Sequence, residues 1–286
     1  MRLGAHLSIA KGLLNTVTMA AEIKANTFQF FTRNPRGGAA RTIPANEITA
    51  WQEVRKKFDL YPIAGHLPYT VNLGAALGRQ QEFARMVLYE DTLRVAAIGG
   101  EYLITHPGHH DGDREAALKR IIQSIEEAYL SIPDPVPMLL LETMAGQGKE
   151  IGSLEDLRFI LAGLGWPERV GVCLDSAHLF ASGWELRTLS GCSQLVKELE
   201  TSFGLEKVKV MHLNDSLVPL GSHRDRHAGI GRGELGREGI ANIVNDRFFS
   251  TLTLILETPV KNYKEYGDEI ALVKQLNLDD DEKPVL

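Results

Sequence analysis

Residues 137–176 read PMLLLETMAGQGKEIGSLEDLRFILAGLGWPERVGVCLDS, and the pattern inside them recurs along the chain. The apolar run PMLLLET gives way to a polar loop. Ser153 then opens the amphipathic stretch SLEDLRFILAGL, with Asp156 three residues on, a pairing that marks a helix start. A second apolar run, VGVCLDS, follows. Runs this uniformly apolar have no solvent face, so they read as strands of a parallel sheet covered by helices.

Six more such runs lie on either side: RLGAHLS (2–8), TFQFFT (27–32), YPIAGH (61–66), YLITHPG (102–108), VKVMHLND (208–215) and LTLILET (252–258). Helical patterns fall between them at 16–25, 79–98, 114–130, 237–249 and 262–276. Eight strand–helix units in 286 residues predict one closed α/β barrel, the TIM (β/α)8 fold, as a single domain over 1–276. Residues 277–286, with Asp279, Asp280, Asp281 and Glu282, are expected to form a flexible acidic tail. An open doubly wound sheet is the other arrangement of such units. The only glycine-rich candidate for a dinucleotide loop, GIGRGELG (229–236), follows a charged loop and has misplaced glycines.

Composition narrows the function classes. Hydrophobic residues make up 44% and charged residues 24%, ordinary for a globular chain. No apolar run approaches the roughly 20 residues that span a bilayer. The N-terminus lacks the apolar core of a signal peptide, so a cytoplasmic location is expected. Cys173 and Cys192 are the only cysteines, too few for a thiolate-rich metal site or a disulfide framework. The net charge of -6 disfavours a polyanionic partner, but bound divalent cations reverse that balance locally.

The ends of the runs carry the chemistry. His66, His106, Glu142, Asp175, His212 and Glu257 close the third to eighth strands in turn. A single histidine or acid at a strand end is ordinarily a hydrogen-bonded surface residue or a helix cap. Six in succession are another matter, because the C-terminal strand ends of a TIM barrel face one another around its mouth. Crowded carboxylates repel unless cations lie between them. His178, in DSAH, and Asp225 with His227, in DRH, raise the set to nine. Imidazole and carboxylate donors suit zinc or manganese, and nine of them suit two or three ions. Multi-metal sites are a recurring solution for phosphoester cleavage.

The segments GAHLS, FTRNPR, HLPY with NLG, HPG, LETMAGQG, GVCLDSAH, MHLND, DRH and LILET, in this order from about residue 3 to residue 275, resemble the endonuclease IV family of abasic-site DNA repair enzymes. The resemblance implies a hydrolase of the deoxyribonuclease IV (phage-T4-induced) type, active as a monomer on double-stranded DNA with abasic sites. It implies a TIM barrel with three zinc ions. His66, His106 and Glu142 would hold the first. Glu142, Asp175, His212 and Glu257 would hold the second, with Glu142 bridging and catalytic. His178, Asp225 and His227 would hold the third. A zinc-bound hydroxide would cut the phosphodiester 5′ to the abasic site, leaving a 3′-hydroxyl and a 5′-deoxyribose phosphate.

The resemblance also makes Tyr69 the side chain that penetrates the base stack and Arg36 the inserting arginine; a planar wedge with a cation suits the unstacking of a base step. Where a bulky residue is expected after Arg36, the chain has Gly37, Gly38, Ala39 and Ala40. Arg33, Arg36 and Arg41, with Arg224, Arg226 and Arg232, are expected to form a basic rim, Arg226 and Arg232 contacting DNA. His109 and His110 are further candidates for DNA contact, and His6 and His223 carry no assigned role. The competing reading is a xylose-isomerase-like sugar isomerase or epimerase, which uses a single divalent metal and has no need of His66, His106, His178, Asp225 and His227. A non-catalytic DNA-binding barrel is a third.

Overall fold

In the computed structural model, which describes residues 1–35, 40 and 42–278, the eight apolar runs form eight parallel strands. They are β1 (Arg2–His6), β2 (Thr27–Phe31), β3 (Ile63–His66), β4 (Tyr102–Thr105), β5 (Met138–Glu142), β6 (Val170–Asp175), β7 (Val208–His212) and β8 (Thr253–Leu256). Each pairs with the next in sequence, and β8 closes on β1. The chain is therefore a single-domain TIM barrel, and the open sheet is excluded. Gly4 on β1 is required by this closeness: a Cβ there would lie 1.9 Å from the Thr27 carbonyl oxygen of β2.

The barrel interior explains why the expected ligands converge. Ala64, Ile104, Leu140, Cys173, Val210 and Ile255, one from each of six consecutive strands, pack together as a buried layer. Side chains on a strand alternate between its two faces, so the residue two positions further on points the same way. Those residues are His66, His106, Glu142, Asp175, His212 and Glu257. Four of them end their strands, whereas His106 and Glu257 stand one residue past β4 and β8. Cys173 belongs to the interior layer, and burial pushes its thiol up to about 12.

Nine α-helices surround the barrel among the described residues: α1 (Leu13–Glu22), α2 (Ala45–Lys57), α3 (Arg79–Ala97), α4 (Arg114–Ile125), α5 (Leu154–Gly163), α6 (Ser176–Ser182), α7 (Leu189–Phe203), α8 (Gly236–Asn245) and α9 (Glu265–Leu276). Leu13, Val17 and Ala20 bury one face of α1, which starts three residues earlier than the sequence suggests and stops before Lys24, whose φ is 58°. The expected single helix over 114–130 is two pieces. After Ile125 the chain widens into a π turn, Glu126–Leu130. That turn seats buried Tyr129 with its hydroxyl 2.8 Å from the carbonyl oxygens of Pro137 and Arg169, against the foot of β5.

The start of α5 follows the sequence reading. The Asp156 amide donates to Ser153 Oγ (3.2 Å), and the Ser153 amide donates to Asp156 Oδ2 (3.0 Å). Removing such a cap costs about 1 kcal/mol. Ser153→Ala is therefore expected to lower stability by about that amount in denaturant unfolding; an unchanged midpoint would show that the cap contributes nothing.

At the chain's end, the Leu278 amide donates to Asn245 Oδ1 (2.7 Å). Residues 279–286 of the expected tail lie outside the described residues, as do Arg36, Gly37, Gly38, Ala39 and Arg41. No described helix is long and apolar enough to cross a membrane.

Candidate metal centre

Strand ends, the first turn of α6 and the loop after β7 bring all nine expected donors to the barrel mouth. Glu142 is 1% exposed and stands at the middle. Its Oε2 lies 3.1 Å from His66 Nε2 and 3.2 Å from His106 Nε2, and its Oε1 lies 3.0 Å from His212 Nδ1. His212 Nδ1 is also 3.0 Å from Glu257 Oε2.

The DSAH segment adds the next donors through a helix cap. Asp175 ends β6 and accepts the His178 amide on Oδ1 (2.8 Å), capping α6. The first turn of α6 then turns His178 back toward the mouth, its Nδ1 3.5 Å from Glu142 Oε1. A short antiparallel ribbon, Asp215–Ser216 with His227–Ala228, folds the loop after β7 over the opening. It places Asp225 Oδ1 3.3 Å from His178 Nε2 and 3.2 Å from His227 Nε2.

Donor atoms of His66, His106 and Glu142 lie within 4.8 Å of one another; so do those of Glu142, Asp175, His212 and Glu257, and those of Asp175, His178 and His227. Asp175 thus borders the third group as well as the second, with its Oδ2 3.7 Å from His227 Nε2.

The donor nitrogens are fixed by partners outside the cluster. His66 Nδ1 faces the Leu67 carbonyl (2.6 Å) and His178 Nδ1 faces the Thr143 carbonyl (2.8 Å). A carbonyl accepts only, so each Nδ1 carries the proton and each Nε2 presents its lone pair to the mouth. Asn214 is fully buried; its side chain donates to Asp175 Oδ2 (2.7 Å) and accepts the Glu257 amide (2.9 Å).

The residues fit divalent cations on two grounds. His178 Nε2 and His227 Nε2 are buried and make no well-aligned hydrogen bond, although Asp225 Oδ1 stands 3.3 and 3.2 Å from them, an arrangement that a cation between the three would satisfy. The electrostatics also call for positive charge. Burial works against ionisation of Glu142, yet the charges of His212 and His106 outweigh it and hold its carboxyl well below the usual range. Burial likewise works against a charged His178, and Asp175, Asp225 and Glu142 outweigh it, raising its pKa well above the ordinary value. Divalent cations meet the same demand with the imidazoles neutral.

The mouth is a cavity of about 330 Å³ lined by seven of the nine expected donors (Asp175 and His212 do not line it) and by His6, Phe31, Tyr69 and Tyr266. Tyr69 is 53% exposed at its rim, its ring centroid 6.4 Å from that of Phe31. Arg224, Arg226 and Arg232 are exposed after β7. The buried Asp215 carboxylate shapes the loop bearing Arg232 by accepting the amides of Gly233, Leu235 and Gly236.

Arg33 corrects the expected basic rim. It is 7% exposed, and its guanidinium is tied to Asp91 Oδ1 (2.7 Å) and Glu90 Oε2 (2.9 Å) of α3. An arginine neutralised in this way anchors β2 to α3. His109 is exposed on a ribbon with Glu150–Ile151, His110 is half-buried, and His223 Nδ1 lies 3.2 Å from the Ala145 carbonyl, away from the donors.

Two neighbours of the cluster are new here: His6, which the sequence left without a role, and Gln29, which it did not single out. His6 Nδ1 lies 3.1 Å from Glu257 Oε1. Gln29, fully buried, lies against Glu257, His212 and His6 together. The one signal was a lone amide inside TFQFF.

Comparison with known proteins follows the same lines. A family described as xylose isomerase-like TIM barrel matches residues 17–276. The chain is 74% identical over 276 residues to a probable endonuclease 4 of Moorella thermoacetica, covering 96% of this chain and 99% of that protein. The crystal structure of endonuclease IV from Thermus thermophilus superposes with a TM-score of 0.84 at 31% identity, covering 96% and 98% of the two chains. A D-tagatose 3-epimerase-like protein shares the fold at a TM-score of 0.72 and 16% identity, covering 96% of this chain and 97% of its own. Barrel, donor set and relatives agree: the chain belongs to the endonuclease IV family of xylose isomerase-like TIM barrels.

Proposed function

We propose that this chain is a DNA repair endonuclease that hydrolyses the phosphodiester 5′ to abasic sites, leaving a 3′-hydroxyl and a 5′-deoxyribose phosphate, with three zinc ions held by the nine donors. The observation that carries the reading is the approach of His178, Asp225 and His227 to a cluster already complete without them. A one-metal sugar epimerase has no use for the added donors. The relatives named as endonucleases, one at 74% identity, support it.

His66, His106 and Glu142 would hold one ion, Glu142, Asp175, His212 and Glu257 a second, and His178, Asp225 and His227 a third. Such ions polarise a phosphate, activate water near neutral pH and stabilise a departing oxygen. The protein's own work is placement. Glu142 turns one carboxylate oxygen to His66 and His106 and the other to His212, so it would serve both the first and the second ion. A mouth of about 330 Å³ is too small for a stacked duplex, so the target nucleotide would leave the helix to reach it. Tyr69 would fill the gap left in the stack, and Arg226 and Arg232 would hold the phosphates on either side. Arg36, the expected second wedge, lies outside the described residues.

The test is incision of a synthetic duplex with one abasic site. Cleavage on the 5′ side with a 3′-hydroxyl product is expected. Binding without incision would favour a non-catalytic barrel, and epimerisation of a ketose with no incision would favour the sugar enzyme.

A further inference from the structure

We infer that Gln29 is a positioning residue that selects the metal-binding nitrogen of His212 and holds Glu257 in its binding rotamer; this rests on the metal reading above. Gln29 faces inward from β2, in register with His6 of β1, and its side chain is fully buried. The amide spans two donors assigned to the same ion. Its Oε1 lies 2.8 Å from His212 Nε2, and its Nε2 donates to Glu257 Oε1 at 2.6 Å. The same Nε2 stands 2.9 Å from His6 Nδ1.

The orientation of this amide follows from chemistry. A carboxylate accepts hydrogen bonds and donates none, so the amide nitrogen must face Glu257. The amide oxygen is then left facing His212, and an oxygen there accepts only. His212 must therefore carry its proton on Nε2 and offer the Nδ1 lone pair to the ion. Nδ1 is the nitrogen that lies 3.0 Å from both Glu142 Oε1 and Glu257 Oε2. One side chain thus fixes the tautomer of a ligand on β7 and the rotamer of a ligand following β8. No other described side chain hydrogen-bonds to both His212 and Glu257.

Partners of this kind change metal affinity by roughly 10–100-fold when removed. Gln29→Met keeps the length and burial of the side chain while deleting both amide bonds. In chelator competition monitored by metal analysis, Gln29→Met is expected to release one zinc ion at a chelator activity about 10–100-fold lower than the parent requires. Its remaining zinc and its far-ultraviolet circular dichroism should match the parent's. Zinc retention within twofold of the parent would overturn the inference.

A second measurement avoids the variant altogether. In the zinc-loaded parent, ¹⁵N spectra of the imidazoles are expected to show His212 protonated on Nε2 and metal-bound on Nδ1; metal on Nε2 overturns the assignment even where Gln29→Met fails to fold. A parent that holds no zinc at all sinks the metal reading itself, an outcome separate from either of these.

Discussion

Glu142→Ala is expected to lower incision of an abasic duplex by about a thousandfold or more while the barrel stays folded. Polarisation by a bound cation contributes several kcal/mol to such a transition state, and each 1.36 kcal/mol is tenfold in rate. Among the described residues Glu142 is the one side chain within 3.2 Å of His66, His106 and His212 together, so its loss would disturb both of the proposed ion sites it joins. The layer beneath it, from Ala64 to Ile255, is apolar and makes no demand on its charge. Glu142→Gln separates shape from charge: it keeps the volume but not the carboxylate, and the same loss is expected. Incision within tenfold of the parent in either variant would mean that the carboxylate does not organise the chemistry.

Stripping the metals is expected to abolish incision and to lower the melting temperature by roughly 10–20 °C. An ion present at a hundred times its dissociation constant adds about 2.7 kcal/mol to the folded state. Two or three ions together then shift a barrel of this size by that range. The site gives a structural reason for the sensitivity. Glu142 and Asp175 are buried at 1% and 0% exposure, with Glu257 and Asp225 beside them, and four carboxylates so placed repel one another without added positive charge. Scanning calorimetry before and after chelation, and again after adding zinc back, reads the effect. A melting temperature unmoved by chelation under conditions shown to remove the ions would contradict it.

The eight strands were legible because each is an apolar run buried on both faces, a pattern that local sequence states directly. The convergence of the histidines and acids at their ends was legible for the same reason, since the barrel turns strand ends into neighbours. Ser153 and Asp156 were readable as a cap because both partners lie within four residues. What escaped the sequence depends on partners far along the chain. Arg33 reads as a rim cation until Asp91, 58 residues away, is seen beside it. Gln29 reads as a flaw in an apolar run until His212 and Glu257, 183 and 228 residues away, close on it. The π turn at Glu126–Leu130 has no periodic signature and follows from where Tyr129 must put its hydroxyl.

His178, Asp225 and His227 are proposed to turn a set of strand-end donors into a nuclease centre. Metal analysis of the purified chain, with His178→Ala, Asp225→Ala and His227→Ala beside it, tests that claim most directly. About three zinc ions are expected per parent chain and about two in each variant, with incision lost alongside the third. A parent holding about one ion, or variants that keep the full count and full incision, would contradict it.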